Sequence, residues 1–113
     1  MGSLVYDGRT THFDDRTLLH LQIVIVQKLE RNERLLMSWK EGEAVGDGRT
    51  AIWLSPDVPL LFRFTDSAVA EVDEAWLERL GSSANSRSGL VVTDVNGDLI
   101  EADATTRGFP GNM

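Results

Sequence analysis

Cysteine is absent from this chain of 113 residues. No disulfide can staple its core, and neither an oxidising compartment nor a thiol catalyst is implied. Histidine is nearly as scarce: His12 and His20 are the only two, eight positions apart, and the His-Glu-x-x-His pattern of a zinc site does not occur. No metal centre or other cofactor is expected. No apolar run exceeds four residues, as at Ile23 to Val26, far short of the roughly 20 residues that cross a bilayer. Met1 to Tyr6 contain neither a basic region nor an apolar stretch of secretory type. A cytoplasmic protein without membrane contact is the expectation.

Basic residues also run short, and unevenly. The net charge is −7; residues 1–65 carry nine acids against eight bases, whereas residues 66–103 carry nine acids against Arg79 and Arg87 alone. A nucleic-acid binder needs a cationic footprint for the phosphates, so any such contact is confined to a local patch in the first half.

What the chain does have is ordinary globular composition, 42% hydrophobic and 26% charged, enough for one modest core. A single domain is expected over residues 1–102, with 103–113 as a flexible tail lacking any period. The organising stretch runs from Asp14 to about Arg34. Leu18, Leu21, Ile25 and Leu29 recur at helical spacing, and Leu19, Ile23 and Val26 widen the stripe. Asp14 suits the N-cap, Phe13 and Leu18 suit a hydrophobic staple, and Asp15 at the start with Lys28, Arg31 and Arg34 near the end complements the dipole.

Before this helix, Asp7-Gly8 between Leu4–Tyr6 and Thr10–Phe13 predicts a tight hairpin. After it, Leu35, Met37 and Trp39 alternate with Leu36, Ser38 and Lys40, which is strand period. A glycine-bearing loop follows from Glu41 to Gly48. Two more strands are expected at Arg49–Leu54 and from Leu60 onward, giving a three-strand antiparallel meander. A second helix is expected from Asp73, with Ser67 the alternative start; Trp76, Leu77 and Leu80 form its stripe and Ser83-Ala84-Asn85-Ser86 its end. Gly81 marks a stop or a close approach to the sheet. Asn96-Gly97 signals a last hairpin between Leu90–Val95 and Asp98–Glu101. The fold class is α+β, two layers, with an antiparallel or mixed sheet in β-β-α-β-β-β-α-β(-β) order covered by a long first helix and a shorter second one. Leu36, Trp53 and Leu61 fall on the strand faces opposite Met37, Ile52 and Phe62. Either the second helix covers them or they form a homodimer contact.

Among polar stretches, Gly46-Asp47-Gly48-Arg49-Thr50 offers backbone amides and a guanidinium to an anion. With Lys40, Trp53 and Arg63 it makes up the candidate anion or ligand patch: Lys40, Gly46, Asp47, Gly48, Arg49, Trp53 and Arg63. The simpler account is a turn and a solvated sheet face. No phosphate loop of Gly-x-x-x-x-Gly-Lys-Ser/Thr form is present, and no serine sits in Gly-x-Ser-x-Gly. Asp94 to Asp98 imitates part of a calcium loop without its distal glutamate. No catalytic residue is nominated.

Several stretches together resemble a family of short actinobacterial proteins of unknown function: Gly2 to Tyr6, Phe13 to Leu18, His20-Leu21-Gln22, Ser38-Trp39-Lys40, Gly46 to Thr50, Ile52-Trp53-Leu54, Pro59-Leu60 and Ser83 to Ser86. The resemblance covers roughly residues 1–93, and automated naming often attaches ATP-dependent DNA ligase to such proteins. Ligase chemistry forms a lysine–AMP bond within Lys-x-Asp-Gly. Here Asp7-Gly8 and Asp47-Gly48 are preceded by Val5 and Val45 where the lysine belongs. The sequence therefore points to a small non-enzymatic binding or self-association domain. A ligase-like nucleotide binder and a DNA-associated accessory protein are the alternatives.

Overall fold

The computed structural model describes residues 1–42, 48–102 and, as backbone, 104–106. Its elements follow the expected order: β1 (Gly2–Tyr6), β2 (Arg9–Phe13), α1 (Asp15–Glu30), β3 (Leu35–Lys40), β4 (Arg49–Leu54), β5 (Leu60–Arg63), α2 (Glu74–Ala84), β6 (Leu90–Val91) and β7 (Ala104–Thr106). The fold is α+β, as the sequence pattern implies.

The strands divide between two sheets, β5-β1-β2-β7 and β4-β3-β6. This corrects the expected meander. β3 and β4 do pair antiparallel, but β5 leaves them and lies antiparallel to β1. The reason lies in Tyr6, whose hydroxyl donates to the Trp53 carbonyl (3.1 Å) and accepts from the Ser55 amide (2.9 Å). Those are the first rungs a strand returning along β4 would need. Pro59, with no amide hydrogen, further weakens such a return. The loop through Pro56 and Pro59 instead carries the chain to the other sheet.

The opening hairpin forms as expected, with Asp7 and Gly8 at φ 50° and 80°, the positive pair that a two-residue turn matching strand twist requires. Helix α1 begins where its cap predicts: the Asp14 carboxylate accepts from the Thr17 amide (3.2 Å) and the Thr17 hydroxyl (2.6 Å). It ends earlier than expected. Asn32 takes φ 60°, its amide donates to the Leu29 carbonyl, and the Glu33 amide donates to the Lys28 carbonyl. That paired closure through a left-handed asparagine is a Schellman stop.

Leu18, Leu21 and Ile25 are buried, as the periodicity predicts, but the stripe widens through Thr17, His20 and Val24 rather than through Leu19, Ile23 and Val26. The cause is α2, which packs along that flank. Its cap is Asp73, accepting from the Trp76 amide at 2.9 Å, and it closes at Asn85. Gly81 lies within the helix, and a Cβ there would meet nothing within 4 Å, so it marks neither a stop nor a close approach.

β6 runs parallel to β3, and Ile100 to Ala102 return to the same edge: Lys40 N–H donates to the Ile100 carbonyl and Ala102 N–H to the Lys40 carbonyl. Between them the last hairpin is shorter than expected, tied by a bridge from Thr93 to Leu99. Its turn uses Gly97 alone at positive φ (91°), with the Asp94 carbonyl accepting from the Gly97 amide. Ala104–Thr106, inside the stretch expected to be tail, lie antiparallel to β2. Gly89 permits the closest backbone approach: at φ 77°, a Cβ there would lie 2.4 Å from the Leu36 carbonyl oxygen.

Candidate functional site

Register places the expected patch residue by residue. Lys40 and Arg49 stand directly opposite each other across β3 and β4, and Trp53 lies further along β4 opposite Leu36. All three share the outer face of that sheet. Arg63 does not join them, because β5 sits in the other sheet, where Arg63 faces Ser3. Arg49 spends its guanidinium on the buried Ser38 hydroxyl (2.8 Å), and Lys40 Nζ lies 3.7 Å from the Glu101 carboxylate. Gly48 accepts from the Glu41 amide through its carbonyl. Gly46 and Asp47 lie outside the described residues.

A different place concentrates chemical groups. Where the two sheets part, a cleft of about 210 Å³ lies between the β1–β2 hairpin and β4. Leu4, Tyr6, Arg9 and Thr11 line it from one sheet; Trp39, Thr50 and Ile52 line it from the other; Asp7, Ala51 and Trp53 stand at its exposed rim. Among the described residues of the expected patch, Trp53 alone borders it, and it is 59% exposed. The inward alternation of β1 to β4 builds the walls, so Tyr6 and Trp39 are cleft residues for the same reason that they are core residues.

Most polar groups in these walls are engaged. Tyr6 bridges Trp53 and Ser55, the Trp39 indole N–H donates to Glu41 Oε2 (2.8 Å), and the Thr50 hydroxyl donates to the same oxygen. Two are not. Arg9 makes no ion pair or hydrogen bond through its guanidinium among the described residues, and neither does the Thr11 hydroxyl make one, although Thr11 is only 3% exposed. The sequence signal for Arg9 was its position beside the hairpin turn; for Thr11 there was only the inward parity shared with Phe13.

The histidines and serines stay apart. His20 is fully buried between the helices: its ring stacks on Trp76 at 4.1 Å, Nε2 accepts from the Asp73 amide (2.9 Å), and Nδ1 therefore carries the proton and donates to the Arg16 carbonyl (2.7 Å). Both nitrogens are thus committed to structure. His12 is exposed on β2 opposite Ser3. Ser83 Oγ donates to the Gly89 carbonyl and accepts from the Val91 amide, tying α2 to β6. Among the described residues Asp15 is the carboxylate whose acidity departs clearly from normal. Desolvation pushes it upward, but hydrogen bonds from the Thr65 and Asp66 amides and the Thr65 hydroxyl, with the N-terminal charge, hold it below the usual carboxylate range. Its work is to anchor the loop after β5 to the start of α1. Among the described residues no three His, Asp or Glu side chains gather as a metal site, and no helix is long and apolar enough to cross a membrane.

No curated protein and no solved structure matches the chain. A family described as Domain of unknown function (DUF7882) matches residues 1–95, from before β1 into the turn beyond β6, and by that match the chain belongs to this family.

Proposed function

We propose that this is a non-enzymatic domain that works by associating with a second copy of itself along β5. The observation that carries the proposal is β5 itself. It ends its sheet, so among the described residues one edge has no neighbouring strand, and it carries apolar side chains on both faces, Leu60 and Phe62 on one and Leu61, beside Arg63, on the other. Leu61 is 46% exposed on the outer face, while Leu60 and Phe62, half-buried, border a shallow groove with Val26 and Leu29 of α1. Exposed apolar edges are usually covered, charged or paired.

The register supports a symmetric pairing. A two-residue hairpin turn makes Tyr6 and Arg9 a hydrogen-bonded pair, so Leu4 and Tyr6 bond toward β2 while Ser3 and Val5 bond toward Arg63 and Leu61. The amides and carbonyls of Leu60 and Phe62 are then directed to the open edge. An antiparallel copy centred on Phe62 sets Phe62 against its own counterpart and Leu61 beside the counterpart of Arg63. Such a contact is self-complementary, as a two-fold interface must be.

The nucleotide and DNA readings have less to rest on. Their cations are split between two sheets, Arg49 is spent on Ser38, and the adenylation motif Lys-x-Asp-Gly is missing from the sequence. Sedimentation equilibrium of the full chain tests the proposal. A dimer that becomes monomeric on Leu61→Lys, with its far-ultraviolet spectrum unchanged, is the expected result. A monomer at high micromolar concentration, or a dimer indifferent to Leu61→Lys and to Phe62→Asp alike, would overturn it.

A further inference from the structure

We infer that the cleft between the sheets is a binding site for a small hydroxylated aromatic monocarboxylate. It lies on the opposite side of β1 from the β5 edge, and its occupancy does not depend on dimer formation.

Among the described residues four polar side chains are buried: Thr11, Thr17, His20 and Ser38. Three are satisfied within the fold, Thr17 by Asp14, His20 by Asp73 and Arg16, and Ser38 by Arg49. Thr11 has no hydrogen-bond partner for its hydroxyl among the described residues, and it is the one that lines the cleft. Buried hydroxyls in native proteins nearly always find a partner, because leaving one unpaired forfeits its hydration without return. A polar ligand atom at the depth of the cleft supplies what the fold does not.

The walls specify the rest of the ligand. Tyr6, Trp39 and Trp53 present aromatic surface, and Leu4 and Ile52 add aliphatic surface. A cavity of about 150 Å³ holds benzene, so the cleft's volume of 210 Å³ accommodates one substituted ring. Arg9 stands two residues from Thr11 on the same inward face of β2, about 6.6 Å along the strand, a span that one ring bridges. Its guanidinium is a fork suited to a carboxylate. Asp7, on the same rim, adds a negative charge that selects against phosphate and other multiply charged anions. A ring with a hydroxyl toward Thr11 and one carboxylate toward Arg9 meets each of these features.

The test uses 4-hydroxybenzoate as probe, with benzoate lacking the hydroxyl and 4-hydroxybenzyl alcohol lacking the charge. Binding to the intact chain is read from tryptophan fluorescence and from the Trp39 and Trp53 indole resonances. Saturable binding of 4-hydroxybenzoate is expected, about tenfold tighter than either analogue. Thr11→Val should erase the preference over benzoate, and Arg9→Gln the preference over the alcohol. Neither substitution removes a side-chain hydrogen bond or ion pair made among the described residues, so both variants are expected to fold, which their far-ultraviolet spectra check. Absence of saturable binding at millimolar probe overturns the inference, as does binding that both substitutions leave unchanged.

Discussion

The seam between α1 and α2 and the cleft between the two sheets are built from similar materials and finished differently. Each buries tryptophan, each includes a buried threonine nearby, and each has an arginine at its margin. In the seam the buried polar groups have partners: His20 is held through both nitrogens, Thr17 bonds Asp14, and at the margin Arg16 sits 5.7 Å over the Trp76 ring and donates to the Glu71 carbonyl. In the cleft Tyr6 and Trp39 are engaged, but Thr11 and Arg9 have no side-chain partner among the described residues. The contrast separates polar burial that completes a fold from polar burial that the fold leaves open, and only the second kind points outward to a ligand.

Removing the seam's largest piece should have the largest effect. Trp76 is 2% exposed and donates its indole N–H to the Thr93 carbonyl. Trp76→Ala should cost about 3 to 5 kcal/mol in urea unfolding. His20→Phe keeps the ring against Trp76 but leaves the Asp73 amide without its acceptor, with an expected loss of about 2 kcal/mol. In the unmodified protein, nitrogen chemical shifts should show His20 protonated on Nδ1; protonation on Nε2 would contradict the hydrogen bond from Asp73.

Asp15 adds a pH test at the same end of α1. Its acidity is raised in the folded state, so its contribution is fully present above the unfolded value of about 4 and is lost as the pH falls through the lower folded value. Asp15→Asn should therefore destabilise at neutral pH and converge with the parent protein in acid. A difference independent of pH would show that the carboxylate charge plays no part.

Much of the fold was legible because its signals are local. Asp14 and Asp73 cap as expected, Asp7-Gly8 turns as expected, and alternation places β3 and β4 correctly. What failed was partnership between distant strands. Nothing near residue 60 says that Tyr6 will occupy the rungs beside Trp53, so the departure of β5 to the other sheet had no sequence signal. The Schellman stop at Asn32 was visible in retrospect, since asparagine is among the few residues that tolerate a left-handed turn. His20 was hidden because polar residues are discounted when an apolar stripe is drawn. The expected patch was only partly assembled: Lys40, Arg49 and Trp53 share a face, but Arg63 belongs to another sheet. Thr11 and Arg9 were overlooked because a hydroxyl's want of a partner is a property of three-dimensional packing alone.

One substitution made in two places tests the contrast most directly. Thr17→Val deletes a hydroxyl that bonds Asp14, whereas Thr11→Val deletes one that has no hydrogen-bond partner among the described residues. Thermal unfolding of the ligand-free protein should show opposite signs, a loss of about 1 kcal/mol for Thr17→Val and a gain of similar or smaller size for Thr11→Val. If both variants lose stability equally, the Thr11 hydroxyl has a partner inside the protein and the cleft is a finished part of the core.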